Sequence, residues 1–222
     1  MWCIPPEQNA EFVAKMEDIL DVYALPYDAT CPVICIDEKP YQLLDERREL
    51  LPMKVGSVQK VDNEYERVGT CSVFVMCEPL LGWHHAHARE RRLAVDFAHE
   101  LEWLLCESRY RDVPKIKLVV DNLNTHVMSS LYKAFPATKA HELAGRLEIH
   151  YTPKHGSWLN IAEISISILS KQCIDGRIGD LGVLNGEIAA WEAVYNAQRR
   201  VVKWQFTTND ARIKLHKLYP VF

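Results

Sequence analysis

Val33-Ile34-Cys35-Ile36-Asp37 is a run of four apolar residues, three of them β-branched, that closes on an aspartate. Consecutive apolar side chains place hydrophobic groups on both faces of an extended chain, so the run predicts a central strand buried between two layers. Ile116-Lys117-Leu118-Val119-Val120 is a similar run and again stops at an aspartate, Asp121. Leu147-Glu148-Ile149-His150-Tyr151 reads as a further strand. Between the first two runs, residues 65–77 form another strand pattern, Glu78-Pro79-Leu80-Leu81-Gly82 reads as a turn, and a strand follows from residue 83 to about residue 91.

Helical spacing fills the intervals. Phe12, Met16, Ile19, Leu20 and Tyr23 predict an amphipathic helix over 6–23, and Leu93, Phe97, Leu101 and Leu104 predict another. Residues 129–145 are helical, with Pro136 starting a second helix rather than sitting inside the first. After Asn160 the isoleucines fit both periods, and the Asn160-x-x-Glu163 capping pattern decides for a helix with Asn160 as its N-cap. Leu181, Leu184, Ile188, Trp191 and Tyr195 mark a further helix, and a last one covers 208–218. The fold class is therefore α/β, a mixed five-stranded sheet flanked by helices, antiparallel at its start and parallel at its end. Residues 1–32 are expected to form an N-terminal helix and linker, 33–200 the sheet domain, and 201–222 a basic C-terminal helical extension.

With 222 residues, 48% hydrophobic and 25% charged, the chain has an ordinary globular composition that excludes a disordered or fibrous protein. Its apolar runs are too short to cross a bilayer, and its start lacks the basic and apolar regions of a secretory signal. The seven cysteines are odd in number, scattered and without a CxxC pair, which predicts free thiols in a reducing cytoplasm. A net charge of −4 conceals an uneven distribution. Residues 1–28 hold six acids, whereas 197–218 hold six basic residues against Asp210 alone, with Trp204 and Phe206 interleaved. That basic segment fits either a DNA contact or a charged surface helix.

Two strands that end in aspartates, with Glu163 on a helix 42 positions after Asp121, are the chemical signal of this sequence. Functional groups of an α/β sheet gather beyond the carboxyl ends of its parallel strands. Three carboxylates meeting there repel one another unless cations bind between them, and hard, oxygen-seeking magnesium suits such a set. A pair of such ions serves in-line displacement at phosphorus. Each acid taken alone also has a plainer reading as a turn or helix cap. His84, His85 and His87 suggest zinc, but no Cys or acid stands at a spacing that completes a site. The sequence lacks GxxxxGK[ST] and GxSxG, so neither P-loop nucleotide hydrolysis nor a serine nucleophile is indicated.

Cys35-Ile36-Asp37-Glu38-Lys39-Pro40, Val119-Val120-Asp121-Asn122-Leu123-Asn124-Thr125-His126 and Tyr151-Thr152-Pro153-Lys154-His155-Gly156-Ser157-Trp158-Leu159-Asn160-Ile161-Ala162-Glu163 resemble the three catalytic blocks of the DDE transposases of bacterial insertion sequences related to the mariner superfamily. The likeness extends to Glu64-Tyr65-Glu66-Arg67-Val68-Gly69-Thr70, to the turn at 78–83 and to Phe206-Thr207-Thr208-Asn209-Asp210-Ala211-Arg212. It implies a ribonuclease-H-like fold. It also implies metal-dependent DNA cleavage at transposon ends and strand transfer into target DNA, using two magnesium ions with manganese as a substitute. Carried over by motif, Asp37, Asp121 and Glu163 become catalytic metal ligands, and Asn122 and His126 become positioning groups. Lys154, His155, Ser157 and Trp158 would border the DNA strand, Trp158 either stacking on a base or packing in the core. The resemblance further implies a homo-oligomer in the active complex and a bacterial cytoplasmic protein, nucleoid-associated when bound to DNA.

Family members carry a helix-turn-helix reader before the catalytic domain. Met1-Trp2-Cys3-Ile4-Pro5-Pro6 resembles the linker that follows such a reader. The expectation is a reader encoded separately and joined by frameshifting, or a truncated copy, with weak and unselective DNA binding by this chain. Two other classes stay open: a stand-alone nuclease of the same fold, and a non-enzymatic remnant that acts as a partner or inhibitor of full-length transposase.

Overall fold

A computed structural model describes residues 5, 7–47, 55–56 and 63–221. Trp2, Cys3 and Ile4 of the linker-like start lie outside the described residues. In chain order the elements are α1 (Ala10–Ala24), β1 (Val33–Glu46), β2 (Tyr65–Glu78), β3 (Trp83–Arg89), α2 (Ala94–Cys106), β4 (Ile116–Val120), α3 (Ser129–Ala134), α4 (Ala137–Gly145), β5 (Leu147–Tyr151), α5 (Ala162–Gln172), α6 (Leu181–Ala197) and α7 (Thr208–Lys214). Single 3-10 turns at Ser157–Leu159 and His216–Leu218 precede α5 and follow α7.

The five strands form one sheet in the order β3-β2-β1-β4-β5. β1 pairs antiparallel with β2, and β2 with β3, while β1, β4 and β5 are parallel. The antiparallel start and parallel finish expected from the sequence are thus present. Alternation sorts the strand residues between two buried layers. Ile34, Ile36, Phe74, Met76, Leu118 and Val120 face Phe97, Leu101 and Leu104 of α2 and Leu131 of α3. On the other face Cys35, Cys77 and Val119 meet Phe12, Met16 and Ile19 of α1, and Val73 and Val75 meet Leu169 of α5 and Leu184 and Ile188 of α6.

β1 runs ten residues beyond Ile36, where its apolar pattern ends. Its pairing with β4 reaches only Cys35, so the rest of β1 has β2 as its strand partner and is met on the other side by single bonds, from Asn160 Nδ2 to Ile36 O (2.9 Å) and from Leu44 N to Ile178 O (3.1 Å). Pro40 is tolerated there because no ladder on that edge needs its missing N–H. The outer edge of β3 is closed by side chains of α6. Asn196 Oδ1 accepts from His84 N (2.8 Å) and its Nδ2 donates to His84 O (2.7 Å), and Asn185 does the same with Ala88. Glu192 Oε2 accepts from Ala86 N at 3.3 Å. These three polar residues of one helix face occupy backbone groups that would otherwise template a further strand.

Pro136 caps α4, as expected, and α1 starts at Asn9, whose Oδ1 accepts from Phe12 N (2.9 Å). The acidic N-terminal helix and the basic C-terminal segment meet. Arg212 forms a two-pronged pair with Glu17 (2.8 and 3.0 Å), Tyr219 Oη donates to Glu17 (2.8 Å), and Thr208 Oγ1 donates to Asp21 (2.7 Å). Part of the C-terminal positive charge therefore serves the fold.

Candidate active site

β1 and β4 run side by side with Cys35 opposite Val119, and two residues further along each chain stand Asp37 and Asp121. Both aspartates share strand parity with Cys35 and Val119, so they point to the face covered by α1 and the 3-10 turn before α5. Glu163 lies in the first turn of α5, where the helix end favours an anion, and is exposed.

Asn160 joins these elements. Buried at 1% exposure, it donates from Nδ2 to Ile36 O (2.9 Å) and Asp37 Oδ2 (3.3 Å), while its Oδ1 accepts from Ala162 N (3.1 Å). This corrects the expected cap: the N-cap position is Ile161, and Glu163 is the second helical residue. The 3-10 turn delays the helix by one residue and leaves the Asn160 amide to hold Asp37. The other Asp37 oxygen accepts from Glu38 N at 2.8 Å.

Burial, reinforced by the charges of Glu163, Asp121 and Glu38 and opposed by the Glu38 N–H bond, pushes the Asp37 carboxyl from 3.8 up to about 7. Asp37 therefore feels the charges of Asp121 and Glu163 across a partly desolvated space. His126, whose side chain is fully buried, stands between two further oxygens: Nδ1 lies 2.5 Å from Asp121 Oδ1 and Nε2 lies 2.6 Å from Glu38 Oε1. Burial alone would depress its pKa, yet the bonds to Asp121 and Glu38 outweigh that and push it up to about 9.

The remaining residues expected at the site divide. Asn122 donates to Thr152 O (2.5 Å) and accepts from Lys15 (3.3 Å), so it ties the loops after β4 and β5 to α1. Lys154, His155 and Ser157 are exposed on the loop after β5, and His155 takes the left-handed φ of 65° that L-residues rarely adopt. Trp158 is half-buried against the α1 side of the core, its ring 6.1 Å from that of Phe206. The three histidines of β3 go to separate partners: His84 to Ser165 (3.0 Å), His85 to Glu192 (3.0 Å) and His87 to Glu100 (3.0 Å). Sequence reading missed Glu38 and the tethering role of Asn160, although both lie within the quoted blocks.

Among the described residues no three His, Cys, Asp or Glu side chains form a preassembled metal cage. The donor set of Asp37, Asp121 and Glu163 nonetheless suits a hard divalent cation. It is all oxygen, and Asp37 lies in an environment that disfavours its negative charge. Asp121 offers Oδ2 while Oδ1 is held by His126 and Leu123 N (3.1 Å).

The family description "DDE superfamily endonuclease" matches residues 32–184. The chain belongs to this family. Its strands β1, β4 and β5, with α5, all fall inside the matched range, and so do Asp37, Asp121 and Glu163. Among solved structures, the Mos1 mariner paired end complex with Mn is similar at a TM-score of 0.54 and 13% identity, over 90% of this chain and 62% of that one. The Mos1 transposase paired-end complex with left transposon end gives 0.56 and 12%, over 99% and 66%. The Mos1 Strand Transfer Complex gives 0.54 and 12%, over 98% and 61%. At these identities the likeness is one of fold, and the ribonuclease-H-like α/β architecture is shared. This DDE endonuclease chain spans about three fifths to two thirds of the length of those structures. No curated protein sequence matches it. Among the described residues no helix is long and apolar enough to cross a membrane.

Proposed function

We propose that the chain is a transposase catalytic domain, carried by residues 33–200, that cleaves DNA at transposon ends and transfers the cut strand into target DNA. The observation that carries this reading is the placement of Asp37 and Asp121 at matching levels of adjacent parallel strands, with Glu163 acting on the Asp37 charge from the neighbouring helix. Asp37, Asp121 and Glu163 would hold divalent cations, two magnesium ions with manganese as a substitute. Bound there, such ions supply activation of an attacking oxygen and stabilisation of a leaving one. The chain's own task is placement. Asn160 fixes Asp37 against the β1 backbone, and His126 fixes one oxygen of Asp121. Exposed Lys154 and His155, on the loop between β5 and α5, would receive the phosphodiester backbone, and half-buried Trp158 anchors that loop. DNA is the partner, with a homo-oligomer as the active assembly and a helix-turn-helix part as the element that selects the ends.

The test incubates the purified protein, alone and with a helix-turn-helix fragment from the same element, with pre-cleaved transposon-end DNA and a target plasmid in Mg2+. Joined products that vanish in Asp121→Asn are expected. Hydrolysis without joining would favour a stand-alone nuclease, and full activity in a folded Asp121→Asn protein would overturn the assignment.

A further inference from the structure

Resting on that reading of the three acids, we infer that Glu38 is a positioning residue for the site: through His126 it fixes the carboxylate of Asp121, leaving one defined oxygen of Asp121 for a cation. Asp37 and Glu38 are consecutive in β1 and therefore point to opposite faces of the sheet. Asp37 faces the other candidate ligands. Glu38 shares its parity with Ile34 and Ile36, which face the apolar layer formed with α2, and its side chain is only 2% exposed.

A carboxylate in that layer is costly, and its Oε2 is buried without a hydrogen-bond partner. Among the described residues its one partner is His126, at 2.6 Å. His126 meets a carboxylate oxygen at each ring nitrogen, and two acceptors facing one imidazole require a proton on both nitrogens. The ring thus donates at both ends and cannot flip or turn without losing a bond. Its backbone is pinned as well, since His126 O accepts from Tyr151 Oη (2.9 Å) and Ser130 Oγ donates to Thr125 O (2.7 Å). Phe97 packs against the ring at 4.4 Å between centroids. Asp121, by contrast, lies at the end of its strand with a side chain 30% exposed, so its own surroundings do less to fix it. The chain Glu38, His126, Asp121 passes from the closed face of the sheet to the open one and transmits the rigidity of the core to a ligand at the surface. Partners of this kind, standing behind a metal ligand, set its orientation.

The experiment titrates the whole chain with Mn2+ alone, following affinity by calorimetry or electron paramagnetic resonance, for wild type, Glu38→Met, Glu38→Gln and Asp121→Asn. Glu38→Met fills the same space without an acceptor and is expected to weaken Mn2+ binding about tenfold in folded protein. Glu38→Gln keeps an oxygen toward His126 Nε2 and is expected to remain within about threefold of wild type. Unchanged Mn2+ affinity in folded Glu38→Met overturns the inference, as does an equal loss in Met and Gln, which would make the effect one of charge rather than position. If Glu38→Met does not fold, His126→Asn, too short to span both carboxylates, replaces it, with the same expected weakening and the same refuting result. If Asp121→Asn leaves Mn2+ binding intact, the metal-site reading itself falls and this inference falls with it. Weakening in Asp121→Asn without weakening in the Glu38 and His126 variants removes the inference alone.

Discussion

Asp37→Asn is expected to abolish catalysis and, in metal-free protein at alkaline pH, to make the fold more stable. The carboxyl is raised from 3.8 to about 7 by burial and by the neighbouring acids. An acid with a raised folded pKa weakens the fold above that value, because the unfolded chain releases the proton first. The cost is absent below about pH 3.8, grows between 3.8 and 7, and is complete above 7, where it amounts to about 4 kcal/mol. Asparagine removes the charge. Its oxygen can still accept from Glu38 N, but its NH2 then faces Nδ2 of Asn160 and loses that bond, at about 1 kcal/mol. The variant should therefore be less stable than wild type by about 0.5 kcal/mol at pH 4 and more stable by about 3 kcal/mol at pH 8. Urea denaturation in the presence of a chelator, at half-unit pH steps, measures both. A difference that does not change sign with pH would refute the claim that Asp37 is held as a strained anion.

Gly82 has φ +69°, and a Cβ there would lie 2.7 Å from backbone atoms of Arg199 and Arg200, so Gly82→Ala should destabilise by roughly 2–4 kcal/mol in denaturant titrations. His84, buried against Ser165, has its pKa lowered by burial to about 4. Its unfolded form takes up a proton at pH 6.5 while the folded form resists, so stability that is complete above pH 6.5 falls by about 3 kcal/mol as pH drops to 4. His84→Met should flatten that part of the stability curve measured in urea, and an unaltered slope would count against the assignment. His155→Gly should gain about 1 kcal/mol of stability by relieving the left-handed backbone, and strand transfer is expected to fall with loss of the imidazole proposed to border the DNA. A variant neither more stable nor less active would show that the loop carries neither strain nor function.

The sheet was legible where apolar runs end sharply. Ile34 to Ile36 and Leu118 to Val120 are buried on both faces, and their order with β5 gives the parallel half directly. The extension of β1 past Asp37 was not legible, because Glu38, Lys39 and Pro40 look like a solvated exit and only pairing with β2 keeps them extended. Asp37, Asp121 and Glu163 were singled out by the ends of apolar runs and by spacing, although the expected strand end at Asp37 is not one, since β1 continues to Glu46. Glu38 could not, since an acid beside the aspartate that closes an apolar run signals solvent unless the fold returns a histidine 88 positions later. Its one sequence signature is parity: it occupies a core-facing position in a doubly buried strand. Asn160 was read as a helix cap because capping pattern and tether use the same amide, and the 3-10 turn that separates them leaves little trace in residue types. The opposed charges of the two termini were visible in composition, but their mutual pairing through Glu17 and Arg212 was not.

The central claim is that Asp37, Asp121 and Glu163 form one cation site. A crystal of the protein grown in Mn2+, with diffraction data collected at the manganese absorption edge, tests it most directly. Anomalous density bounded by these three carboxylates is expected in the wild type, and none in Asp121→Asn crystals. Anomalous density elsewhere on the chain, with none between Asp37 and Asp121, would contradict it.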